Sequence, residues 1–252
     1  GKRQPPRTPR KDADTIIACL ELHIEQADRL ETNQTDIGIV TDIPGISRYA
    51  IKVMGRAGHS GTTRMPDRQD ALVAASEVIT TAQDTGIAIA EQDNKHFVAT
   101  IGRIDVYPNG AATVPGEVNM VLDLRASHEH SRDEFLKQLQ TRCMLISKNR
   151  SCKIEMELIS NASVAVMDNE LRQRLSHAAN SLNLSHIDLS SGAGHDMVHL
   201  SRIAPAAMVF IPCKDGLSHC PEELATPEAI AKGSAVLART ILALASDEPY
   251  NE

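Results

Sequence analysis

"ISRYAIKVMG", residues 46–55, alternates apolar and polar side chains as a half-buried strand does, and the segments after it make it the first element of a compact unit. "DRQDALVAASEVITTAQ" (67–83) carries Ala71, Leu72, Ala75, Val78 and Ile79 at helical spacing, with an end expected near Gly86. "HFVATIGRIDVY" (96–107) and "EVNMVLDLRAS" (117–127) are β-rich runs joined by the turn-rich "PNGAATVPG". "SRDEFLKQLQTRCMLIS" (131–147) sets Ser131 and Glu134 at capping-box spacing ahead of Phe135, Leu136 and Leu139. "CKIEMELIS" (152–160) closes as a strand. The order β-α-β-β-α-β predicts a four-stranded antiparallel sheet with two helices on one face, the split arrangement of ferredoxin-like domains.

Outside this block the pattern changes. "LELHIEQ" (20–26) points Leu20, Leu22 and Ile24 one way and Glu21, His23 and Glu25 the other. After residue 160 come a helix around "NELRQRLSHAANSLN", the loop "SGAGHD", an apolar strand "AAMVFIP", the loop "CKDGLSHCPEE" and a last helix. That helix opens with Thr226 as cap and Pro227 in its first turn, and its apolar stripe is read through Ile230, Leu237, Ile241 and Leu244. Strands and helices alternating on both sides of a βαββαβ block predict an α/β domain, made of residues 1–44 and 161–252, with a smaller domain inserted at 45–160.

The chain has 252 residues, 42% hydrophobic and 23% charged, which is ordinary globular composition. A net charge of −7 and an aromatic content of 2% speak against nucleic acid as a partner. No apolar run approaches the roughly 20 residues of a membrane span, so no membrane is expected. Five scattered cysteines with no CxxC pair point to free thiols in a reducing, cytoplasmic setting. The basic, proline-rich "GKRQPPRTPRK" (1–11) reads as a loop-like lead-in.

Four of the ten histidines sit among glycines and hydroxyl residues or beside carboxylates: His23, His59 in "GHSGTT", His195 in "SGAGHD" and His219 in "GLSHCPEE". Mixed nitrogen and oxygen donors suit a divalent cation, although a lone histidine is more often a surface or core residue. "HDMVH" places His195 and His199 four apart, a spacing that serves zinc on a helix face. Without the glutamate of zinc-protease helices, a helix start with Asp196 at its positive end is the better reading. Phosphate-loop, dinucleotide and serine-hydrolase signatures are absent.

"LELHIEQADRLE", "GHSGTTRMPDRQDAL", "VPGEVNMVLDLR", "SGAGHDM" and "IPCKDGLSHCPEE" occur in the order and spacing of a known group. From about residue 14 onward they resemble the allantoate amidohydrolase and N-carbamoyl-L-amino-acid hydrolase branch of the dinuclear-metal aminoacylase superfamily. The resemblance implies a zinc-peptidase-like catalytic domain holding two divalent ions, zinc or manganese, and an inserted ferredoxin-like lid that forms a homodimer. It implies His23 as a ligand of one metal and His219 of the other, with Gln26 beside the site. His59 resembles the lid histidine that stabilises a developing oxyanion, and Arg125 the residue that grips a substrate carboxylate. Ser191, Gly192 and His195 would line the substrate pocket. Two positions depart from the pattern: Ala112 replaces an asparagine, and Ala27 a glycine whose loss would alter the local turn.

The resemblance also places the family's remaining ligands and its general base in a half that would precede residue 1, and "PEE" (221–223) lies in the wrong place to supply them. The expectation is therefore a C-terminal part of an amidohydrolase acting on allantoate or an N-carbamoyl-L-amino acid. With one imidazole per ion it would be metal-poor and inactive alone, His23 and His219 exposed on an open face. A non-catalytic dimerisation or carboxylate-binding module, or an aminoacylase or peptidase of the same superfamily, are the other readings.

Overall fold

The computed structural model describes residues 15–93 and 96–246; the basic lead-in lies outside them. In chain order the elements begin with β1 (Cys19–Ile24), α1 (Arg29–Thr32), β2 (Ile37–Val40) and β3 (Asp42–Ile43). Next come β4 (Gly45–Met54), β5 (Gly58–His59), α2 (Ala71–Gln92), β6 (Phe97–Tyr107), β7 (Thr113–Val114), β8 (Glu117–Ala126), α3 (Glu129–Arg150) and β9 (Lys153–Ala162). The chain ends with β10 (Ala165–Val166), α4 (Asn169–Ser181), β11 (His186–Leu189), α5 (Met197–Leu200), β12 (Ala206–Ile211) and α6 (Pro227–Ala245). The described residues form two compact units, one of those up to 43 together with those from 165 onward, and one of those between 44 and 164. No helix among the described residues is long and apolar enough to cross a membrane.

The 44–164 unit is a four-stranded antiparallel sheet in the order β6-β8-β4-β9. β4 pairs along its whole length with β8, from Gly45 opposite Ala126 to Met54 opposite Glu117. Side chains alternate strictly on β8: Val118, Met120, Leu122, Leu124 and Ala126 are buried, while Asn119, Asp123 and Arg125 stand on the other face. The buried set meets Val78 and Ala82 of α2 and Phe135 and Leu139 of α3, and full burial of each large apolar side chain is worth roughly 1.5–3 kcal/mol.

Two local expectations fail here. α2 does not end near Gly86 but runs six residues further, because Gly86 packs beneath Phe97, Ala99 and Phe135. Ser131 is not the cap of α3, which begins at Glu129; its hydroxyl donates to Asp93 at the end of α2.

The other unit carries a mixed sheet in the order β1-β12-β2-β11. β12 runs parallel to β1 and antiparallel to β2, and β2 is parallel to β11. All six residues of β12 are buried, as an apolar run at the centre of a covered sheet must be. Ala207, Val209 and Ile211 face the helices α4 and α6. Met208 and Phe210 face the opposite layer, with Leu30 of α1 and Met197 of α5.

Asp168 caps α4 and Thr226 caps α6, each accepting the backbone N–H of the third residue of its helix. The fully buried stripe of α6 is Ala229, Gly233, Val236 and Thr240; of the expected line Leu237 and Leu244 pack partly buried on the same core, while Ile230 is 46% and Ile241 53% exposed. The small residues win because the helix lies close on the sheet: a Cβ on Gly233 would stand 2.5 Å from Leu22 Cδ1 and 2.6 Å from Ile211 Cγ2. α5 is a single turn that starts after His195, so His195 and His199 do not share a helix face, and His199 is exposed.

Candidate functional site

His23 is on the face of β1 opposite Leu22, and the register with β12 sets it beside Phe210. Its ring meets Phe210 edge-on at 6.4 Å between centroids and His195 at 4.7 Å. His23 is thus half-buried, not exposed, and its Nδ1 bonds to the carbonyl of Ile24 at 2.9 Å. Glu21, two residues back on the same face, brings a carboxylate to 3.7 Å from Nδ1 of His195. Donor atoms of Glu21, His23 and His195 all lie within 4.8 Å of one another.

Electrostatics follow from burial. Desolvation pushes the Glu21 carboxyl above its ordinary range, with His23 acting against it. Burial, then the neighbouring His23, push His195 down to about 4, so its imidazole is neutral at pH 7. Glu25, expected to share the face of Glu21, turns away instead, and its Oε2 accepts the N–H of Leu30 at the start of α1 at 2.8 Å.

Behind His195, Ser191 is fully buried. Its hydroxyl lies 2.9 Å from His195 Nε2, donates to the Ala193 carbonyl at 3.0 Å and accepts the Ala193 N–H at 3.1 Å. The loop is anchored by Asp42, which sequence reasoning missed: Oδ1 accepts from Ser190 Oγ at 2.7 Å and the backbone carbonyl accepts from Ser191 N at 2.9 Å. Gly192 follows on the exposed side.

Gln26 and His219 both hold left-handed backbone, φ 60° and 59°, a conformation that non-glycine residues keep only when their surroundings impose it. Gln26 Nε2 donates to Ser218 Oγ at 3.0 Å, and Ser218 Oγ and His219 N both donate to Glu223 Oε2, at 2.8 and 2.9 Å. Those two bonds, with the His219 and His23 imidazoles adding to them, hold the Glu223 carboxyl below its usual range. Glu223 of "PEE" is therefore a clamp on the His219 turn. His219 itself is exposed and is not a member of the three-donor cluster. Gln26 Oε1 is buried and accepts no hydrogen bond among the described residues. The left-handed residue is Gln26, not Ala27, so alanine fits where a glycine was expected.

His59 and Arg125 belong to the 44–164 unit. His59 is exposed on the β5–β7 ribbon, and Gly61 N–H donates to its Nδ1 at 3.0 Å. The neutral ring then carries its proton on Nε2, as an outward hydrogen-bond donor. Arg125 stands on the helix-free face of β8, where its Nε donates to Asp123 at 2.8 Å; Arg48 holds the other oxygen of the same carboxylate at 2.9 Å. Ala112 is exposed, and its carbonyl accepts Ser60 N–H at 3.0 Å.

Two imidazoles and one carboxylate are a donor set that fits a divalent cation, and each imidazole already has one nitrogen engaged by a neighbour, as metal-binding histidines do. Glu21 is the residue the sequence had flagged only as a flank; its period-2 spacing from His23 was the available signal.

Residues 8–243 match the model of the peptidase family M20/M25/M40. The chain is 36% identical over 234 residues to an N-carbamoyl-L-amino-acid amidohydrolase of Paenarthrobacter aurescens, covering 93% of this chain and 56% of that one. It is 32% identical over 240 residues to the allantoate amidohydrolase of Escherichia coli, covering 95% and 57%. The crystal structure of an amidase of the hydantoinase/carbamoylase family from Burkholderia multivorans matches with a TM-score of 0.85 at 35% identity, over 93% of this chain and 56% of that one. The chain spans about half the length of the curated relatives it matches.

Proposed function

The chain belongs to the peptidase family M20/M25/M40, and on that premise we propose that it serves a metal-dependent amidohydrolase cleaving a linear C–N bond of a ureido or N-carbamoyl acid. The observation that carries this is the convergence of His23, His195 and Glu21 on one point, in a chain whose relatives are named for allantoate and N-carbamoyl-L-amino acids. Divalent ions, zinc or manganese, would be held at His23 and at His219; when bound they supply Lewis acidity and an activated water.

The chain's own residues bind and orient. Gln26 offers its unsatisfied, buried Oε1 to the N–H groups of a carbamoyl or ureido end, and Ser191, Gly192 and His195 bound the pocket around it. Arg125, pre-aligned by Asp123, receives the substrate carboxylate, which a planar guanidinium holds better than an ammonium. His59, whose bond from Gly61 leaves Nε2–H as an outward donor, would stabilise the oxygen that gains negative charge. The 44–164 unit, with the element order of a ferredoxin-like domain, would act as a lid and as the homodimer contact, in a cytoplasmic protein.

The test is ammonia release from allantoate and from a panel of N-carbamoyl-L-amino acids. It uses the protein as encoded, stripped of metal and then resupplied with zinc or manganese. Turnover that requires metal and an L-configured or ureido carboxylate is expected. Metal-loaded protein that releases no ammonia from any of these acids would overturn the reading.

A further inference from the structure

Ion pairs cross the helix-free face of the 44–164 sheet, and most join one cation to one carboxylate: Lys52 with Glu117, Arg103 with Asp105, and Lys153 with Glu155. At Asp123 two cations meet one carboxylate. Its Oδ1 accepts from Arg125 Nε at 2.8 Å and its Oδ2 accepts from Arg48 Nε at 2.9 Å. The β4–β8 register sets Arg48 directly opposite Asp123, while Arg125 stands two residues along β8 on the same face. The two guanidiniums therefore reach the carboxylate from different strands. Asp123 and Arg125 are partly shielded, with side chains 24% and 30% exposed, so their charges are felt more strongly than those of fully solvated groups. A carboxylate that aligns an arginine also repels, by its charge, any acid that the arginine is to receive. Arg48, on the other oxygen, answers that charge.

We propose that Arg48 is a positioning residue for acid recognition: it neutralises Asp123, so that Asp123 holds the Arg125 guanidinium in plane without repelling the substrate carboxylate. Arg48 does not touch the acid; it acts through Asp123. The assignment rests on the reading of Arg125 as the carboxylate receptor and adds a second residue, from another strand, to that specificity. It also gives a charge pattern that a purely structural pair would not produce. Arg48 and Asp123 together are neutral. Arg48→Ala makes the position negative, Asp123→Asn makes it positive, and the double variant is neutral again. Asparagine keeps a carbonyl oxygen that can still accept from Arg125 Nε.

The protein as encoded is freed of metal with a chelator, so that binding is read without turnover. It is titrated calorimetrically with N-carbamoyl-L-alanine and with the neutral N-carbamoyl-L-alaninamide. The parent should prefer the acid. Arg48→Ala should weaken acid binding roughly three- to tenfold, the worth of one unit charge several ångströms away in a partly exposed setting. Its affinity for the carboxamide should not move, and the loss should shrink as salt is added. Arg48→Gln should behave as Arg48→Ala does, and Arg48→Lys should keep most of the affinity. Arg48→Ala combined with Asp123→Asn should return acid binding to within about twofold of the parent, the charge at the position being restored. Arg48 is 47% exposed, so its replacement opens no core, and far-UV dichroism checks that each variant folds. A parent that binds the acid no better than the carboxamide overturns the carboxylate reading of Arg125, and this proposal with it. Where the parent prefers the acid, three results overturn the proposal alone. They are an Arg48→Ala variant with the parent's affinity, one that loses acid and carboxamide alike, and one that Asp123→Asn does not relieve.

Discussion

Arg125 and His59 show how one hydrogen bond prepares a side chain for a partner. Asp123 takes the Nε of Arg125 and so fixes the plane of its guanidinium. In the active protein, Arg125→Leu should raise KM with little change in kcat, by an amount matching a lost charge-assisted pair of ~1.5–3 kcal/mol; an unchanged KM for carboxylate substrates would remove it from the carboxylate site. At His59 the Gly61 N–H fixes the donor tautomer. If the ring stabilises a developing oxyanion, His59→Ala should lower kcat roughly 10²–10³-fold while KM moves little. A loss confined to KM in steady-state assays would make His59 a ground-state contact instead.

Elements are decided by caps and by the packing beneath them. Helix α6 begins where Thr226 caps it, but its orientation about its own axis is set by Gly233, the point of closest approach to β1 and β12. Gly233→Ala therefore tests two opposed effects. Helix propensity favours alanine by up to ~1 kcal/mol, whereas forcing a methyl against Leu22 and Ile211 costs about 1–3 kcal/mol. Because Ile211 is buried and branched at Cβ, the clash should win, and urea denaturation should find the variant less stable by about 1 kcal/mol. A variant more stable than its parent would show that α6 can lift off the sheet freely. The same reasoning explains α2, whose length was misjudged at Gly86: a glycine ends a helix only when nothing packs on it, and here Phe97 and Phe135 do.

At the scale of the molecule, two expectations concern acid and assembly. Asp36 ties β2 to α6 through Lys232 at 2.8 Å and to Ser185 through N–H and hydroxyl bonds at 2.9 and 2.8 Å. The Lys232 bond, with those from Ser185, holds the Asp36 carboxyl below the usual aspartate range, against a desolvation effect that raises it. A depressed carboxylate stabilises the fold above its unfolded pKa, and that contribution is lost as pH falls through the folded value. Asp36→Asn should cost about 1 kcal/mol in urea melts at pH 7, since the pair is partly exposed. That difference should shrink toward zero as the pH is taken below the ordinary aspartate range and through the depressed value; a gap independent of pH would show that the charge is irrelevant. In the 44–164 unit, β6 and β9 occupy the sheet edges, and edge strands invite pairing with a second copy. Light scattering should report a two-fold dimer, and a monomer persisting at high concentration would exclude that assembly.

The local features were legible in the sequence. The period of two in β8 and, from Leu20 to Ile24, in β1, the cap Thr226, and the apolar run of β12 each depend on residues a few positions apart, and each appears in the structure. The five motifs likewise named the family from residue types in order. Tertiary structure alone decided which donors meet. Glu21 and His23 share a strand face by local geometry, but His195 arrives from a distant loop held by Asp42, and only the folding of that loop sets it beside them. Half of the α6 stripe, Ile230 and Ile241, was misplaced for the same reason: hydrophobicity marks which side chains can be buried, while the distance between backbones decides which ones fit.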